Sequence, residues 1–120
     1  MKRLIVICAA ACAVLLPALA PAQDLVQTAG KNAKVVLDNA DVRVIELNMP
    51  AGASTGMHEH KTDQLVVFLT GGTARQVGKD GKTKEMTRKA GDVAWSGPVT
   101  HDTTNESKAP VRTLVIELKK

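Results

Sequence analysis

Gly52-Ala-Ser-Thr-Gly-Met-His58-Glu-His60-Lys-Thr-Asp-Gln64-Leu-Val-Val-Phe-Leu-Thr-Gly71 decides how this chain is read. His58 and His60 stand two apart. On a β-strand, side chains alternate between faces, so both imidazoles point the same way. Two imidazoles on one side are half of a metal site. The third and last histidine, His101, follows a second glycine-led stretch, Gly91-Asp-Val-Ala-Trp95. A fold that returns His101 over His58 and His60 would gather every histidine of the protein at one point.

The same residues resemble the motifs of the small single-domain cupins. The first cupin motif, G-x5-H-x-H-x3-E-x6-G, is met by Gly52, His58, His60 and Gly71, with Gln64 where the glutamate belongs. The second, G-x5-P-x-G-x2-H-x3-N, is met at its ends by Gly91, His101 and Asn105. Gly97-Pro98 replaces its central turn, and the Gly91-to-His101 gap is one residue short. The resemblance runs from about Ala33 to Leu118. It implies an all-β, double-stranded β-helix or jelly-roll barrel over residues 33–120, a divalent metal (Fe, Mn, Ni, Zn or Cu) on His58, His60 and His101, and a homodimer.

The strand pattern agrees with a barrel. Val35–Leu37 and Val42–Met49 flank a turn at Asp38-Asn39. Thr73–Val77 and Lys82–Arg88 flank Lys79-Asp80-Gly81, whose Asp-Gly pair suits a tight hairpin. The charged run Lys82–Lys89 reads as a solvated or edge strand. Val42–Met49 and Val111–Leu118 carry apolar residues on both faces, from central packing or from a dimer contact. No window holds a sustained 3.6-residue apolar period, so essentially no helix is expected after residue 22. Many short strands between Gly, Pro and Asp turns predict one sandwich or barrel domain.

The 120-residue chain opens with Met1-Lys-Arg and an uncharged apolar run from Leu4 to Leu16. Pro17 follows, and Ala20-Pro21-Ala22 offers an A-x-A cleavage site. That is the build of a secretory signal peptide over residues 1–22, and it predicts a periplasmic or secreted product. Cys8 and Cys12 would leave with it, and so would Lys2 and Arg3. The formal charge then falls from +4 to +2. With no basic stripe and only Phe68 and Trp95 as aromatics, nucleic acid is a poor partner. A membrane partner is not expected after cleavage. Residues 23–32, polar and punctuated by Gly30, read as a flexible arm.

No thiol remains after cleavage, and no serine stands beside a histidine–carboxylate arrangement, so any chemistry rests on the metal. Gln64 offers a neutral carbonyl oxygen, a weaker donor than glutamate, or it hydrogen-bonds clear of the metal. Asp63 could stand in for the missing carboxylate only if a bulge reverses its face. Glu59 and Asp102 alternate outward and should be solvated. Met57, Phe68, Trp95 and Val99 are candidates for a pocket wall or for ordinary core. Asn105 could tie down its loop. Three functional classes stay open: the first is a metal-dependent enzyme on a small organic molecule, dioxygenase-like or isomerase-like, and the second a cupin that binds or senses a small ligand without turnover. A structural cupin with an empty site is the third.

Overall fold

The computed structural model describes residues 23–120. The signal segment read at residues 1–22 lies outside them. A short helix, α1 (Leu25–Ala29), and a 3-10 turn (Gly30–Asn32) lead into nine strands. These are β1 (Ala33–Asp38), β2 (Val42–Met49), β3 (His58–His60), β4 (Gln64–Phe68), β5 (Gly72–Gly78), β6 (Thr83–Arg88), β7 (Val93–Ser96), β8 (Val99–Asn105) and β9 (Val111–Leu118). They form a five-stranded sheet, β1-β2-β9-β4-β7, and a four-stranded sheet, β3-β8-β5-β6. Every pairing is antiparallel. Two such sheets facing each other make the jelly-roll expected from the sequence.

Local chemistry sets the turns. The Asn39 side-chain oxygen accepts from the backbone N–H groups of Asp41 and Val42, which closes the β1–β2 hairpin. Gly81, at φ +80°, donates to the Gly78 carbonyl in the β5–β6 turn. In β2 the alternation is plain: Ile45, Leu47 and Met49 are buried and meet Val115 of β9 in the core. Both strands lie inside the five-stranded sheet, with a hydrogen-bonded neighbour on each side. β6 is an edge strand, as its charge pattern predicts. β1, an edge of the five-stranded sheet, carries a register shift between Val35 and Leu37, a device that spoils an edge for further pairing.

One expectation is corrected. Residues 23–32 are no flexible arm, and the described residues are not free of helix. Asp24 caps α1 by accepting from the Val26 N–H, and its carboxylate pairs with Arg43, which also holds Glu117. Leu25 and Ala29 are buried in the core beside Ile45 and Leu47. A five-residue helix has too few turns to show a period, and tertiary packing rather than propensity holds it.

Candidate metal centre

β3 and β8 pair with His58 directly opposite His101, and His60 opposite Val99. Alternation then puts all three imidazoles on one face. Their ring centroids lie 4.7 to 5.4 Å apart. One nitrogen from each ring falls within 4.8 Å of the others. His58 and His60 are buried, and His101 is partly so.

The proton on His58 can be placed by chemistry. Its Nδ1 lies 2.7 Å from the Gly56 carbonyl, which can only accept, so Nδ1 carries the hydrogen. The lone pair is therefore on Nε2, and Nε2 lies 3.0 Å from Nε2 of His60. Two nitrogens each about 2.1 Å from one ion, at a right angle, stand about 3.0 Å apart. A backbone carbonyl fixing the far nitrogen is the usual support for a metal-ligating histidine. Gly56 earns its place there: it sits at φ +78°, its N–H donates to Asp102, and a Cβ would come within 3.2 Å of Thr28.

Burial pushes all three imidazoles below their ordinary value of 6.5. For His60, burial and then the neighbouring His58 and His101 bring it to about 3. For His101, burial and His58 bring it to about 4. Burial also lowers His58, against the hydrogen bond to Gly56 and the charge of Asp102. All three are thus neutral at pH 7, the form that binds metal. The Gln64 side-chain oxygen is buried without a hydrogen-bond partner, as is Nδ1 of His60, the ring nitrogen that carries the hydrogen when Nε2 binds a metal. Three imidazole nitrogens and one unpartnered buried oxygen fit a divalent cation.

The lowered values set a pH dependence for the metal-free protein. An unfolded histidine takes up a proton below about pH 6.5, whereas these folded imidazoles resist it to about 4 and about 3. Stability is complete above pH 6.5 and is lost as the pH falls through that window. The melting temperature of metal-free protein should therefore drop between pH 7.5 and 5.0, before most carboxylates titrate. A flat profile over that interval would contradict the buried, neutral triad.

The other sequence candidates divide. His58, Gln64 and His101 line a cavity of about 450 Å³ inside the barrel, together with Phe68, Val99 and Asn105. Gln64 is buried and heads β4, opposite Ser96 and Glu117. Asn105 ties down its loop: its amide donates to the carbonyls of Met49 and Ala109, and its oxygen accepts from Ser107. Trp95 touches the cavity but is 60% exposed, because it alternates with the inward Ala94 and Ser96 on an edge strand. Met57 is no pocket wall. It precedes His58, faces the other way and is 44% exposed. Asp63 is no substitute ligand, since its carboxylate lies by Gly97. Asp102, expected to be solvated, instead accepts from the Gly56 N–H. Sequence reasoning missed Leu25, which reaches the same cavity from α1. A single leucine in a polar stretch was its only signal.

No family model matches the chain, and no curated protein matches it significantly. Solved structures do. A cupin domain from Bordetella pertussis Tohama I shares 29% identity at a TM-score of 0.69, over 73% of this chain and 92% of that one. A cupin 2 conserved barrel domain protein from Salinispora arenicola shares 24% identity at a TM-score of 0.55, covering 70% of this chain and 71% of that one. An RmlC-like cupin from Methanocaldococcus jannaschii, with a double-stranded β-helix fold, shares 11% at a TM-score of 0.59, over 72% and 77%. The last two bear on the fold alone.

Proposed function

We propose that this chain, similar in fold and motifs to the small single-domain cupins, binds one divalent metal through His58, His60 and His101 and uses it on a small organic molecule in the barrel cavity. The observation that carries this reading is the 3.0 Å approach of two imidazole nitrogens, one of them shown by its partner to bear a lone pair. A bound divalent ion would supply Lewis acidity or, if iron or copper, one-electron chemistry. The chain's own part is to hold three neutral donors without a carboxylate beside them, to keep His58 in one tautomer through Gly56, and to enclose the ligand.

Gln64 supports an anionic ligand. Three imidazoles and an amide leave the full +2 charge of the ion unbalanced, which attracts an acid more than a carboxylate-bearing site would. Substrate turnover, dioxygenase-like or isomerase-like, is the first reading. Capture of the ligand without turnover is the second, favoured by the same neutral glutamine, a weaker metal donor than glutamate. Export through residues 1–22 and side-chain packing of two copies on the exposed Val35, Val36 and Leu37 of β1, rather than strand-to-strand pairing, complete the proposal.

Gln64→Glu tests the site's chemistry. The added carboxylate should tighten metal binding by about tenfold, equivalent to about 1.4 kcal/mol, and weaken the hold on an acid. Chelator competition on wild type and variant, at one pH and ionic strength, measures the first effect. Equal affinity would put Gln64 outside the metal's reach and leave a three-histidine site.

A further inference from the structure

The inward face of β6 is unlike the rest of the barrel. Alternation turns Lys84, Met86 and Arg88 to the cavity, and Lys82 joins them from the preceding turn. Among the described residues Asp80 is the one acidic side chain that lines the same space. It lies 4.0 Å from Lys82, and both are well exposed. Lys84 and Arg88 therefore face the cavity without a balancing carboxylate.

Arg88 stands apart from the other described arginines. Arg43 holds Asp24 and Glu117, Arg75 holds Glu106, and Arg112 holds Glu46. Among the described residues Arg88 has no carboxylate partner, and its Nε is buried without any acceptor. A buried charged donor left unpaired is costly, so such a group marks a missing partner. The guanidinium lies over the Phe68 ring, 5.9 Å from its centroid. A guanidinium presents its N–H donors as a planar fork, which suits two acceptor oxygens of an anion. Phe68 closes β4 four residues beyond Gln64, so about 13 Å of strand separates the two ends.

We propose that Arg88, beside Phe68, is the anchor for the anionic head of an organic acid whose apolar body fills the cavity toward the histidines. This deepens the ligand side of the proposed function. It relies on the cavity as the ligand site and needs no metal. Apolar side chains such as Leu47, Met49, Val66 and Met86 line the body of the space, and 450 Å³ accommodates an acid of up to three rings. Lys84, on the same face, adds a field that steers an anion inward.

The test compares two probes of one skeleton: 1-anilinonaphthalene-8-sulfonate and N-phenyl-1-naphthylamine, which lacks the sulfonate. Each is titrated by fluorescence into wild type, Arg88→Gln and Arg88→Lys, all stripped of metal by chelator. Arg88→Gln should weaken the sulfonate by on the order of tenfold or more and leave the neutral amine unchanged. Arg88→Lys, which keeps the charge but loses the fork, should fall between. An unchanged sulfonate affinity in Arg88→Gln overturns the proposal, as does an equal loss of both probes or no binding of either to wild type. Metal content is measured on separate unstripped samples, so failure of the metal reading and failure of the anion anchor are told apart.

Discussion

Leu25→Ala is expected to destabilise the protein by about 2–5 kcal/mol, the range for truncating a buried leucine. Leu25 is 2% exposed, among the most deeply buried side chains described. It touches the core formed by β2 and β9 and lines the central cavity, so the space it leaves would join one already there. Little collapse can repair such a gap. A domain of this size has about 5–15 kcal/mol in all, so the loss is a large share. The effect should spread to the histidines. Thr28 of the same helix lies against Gly56, whose carbonyl fixes His58. The Gln23 carbonyl accepts from the Glu59 N–H, between His58 and His60. Loosening α1 should therefore weaken metal binding several-fold as well. Urea denaturation of metal-free wild type and variant measures the first effect. A loss below about 1 kcal/mol, typical of a surface change, would mean that α1 does not dock.

Each of His58→Ala, His60→Ala and His101→Ala should lower metal affinity by on the order of 100-fold or more. Loss of a partner that merely orients a ligand already costs about 10- to 100-fold, and removing the ligand itself costs more. Beyond the neutral Gln64 oxygen, a weak donor, no spare ligand stands ready. Among the described residues no acidic side chain joins the three histidines in one cluster. The metal-free variants should behave in the opposite sense. Each loses an imidazole that burial keeps neutral, so each should give up less stability between pH 7.5 and 5.0 than wild type does. A variant that merely unfolds would lose affinity and stability together at every pH, so the two effects are distinguishable. Affinity within threefold of wild type in any two variants would place the metal elsewhere.

The strands were legible because alternation and turn chemistry act locally. Asp38-Asn39 and Asp80-Gly81 close the hairpins that their residues predict, and Ile45, Leu47 and Met49 point inward as a period of two requires. The convergence of the histidines came from their spacing within β3 and from the resemblance of two motifs. The His58–His101 register itself is a property of sheet pairing that no local pattern carries. α1 was illegible for a physical reason: its stability comes from Leu25, Ala29 and the Arg43 bridge, contacts distant in sequence. The charged face of β6 was read as solvent-exposed. Its edge position bears that out, yet the inner half of the same alternation turns Arg88 into the cavity. Charge alone does not tell a wet outer face from a ligand-facing inner one.

The central claim is that three neutral imidazoles hold one metal ion, and metal stoichiometry tests it most directly. Protein isolated from its native compartment without chelator, analysed for its elements beside His101→Ala, should carry close to one divalent ion per wild-type chain and almost none per variant chain. Wild-type protein without metal, which also takes up none when titrated with iron, manganese, nickel, zinc or copper at neutral pH, would contradict the account.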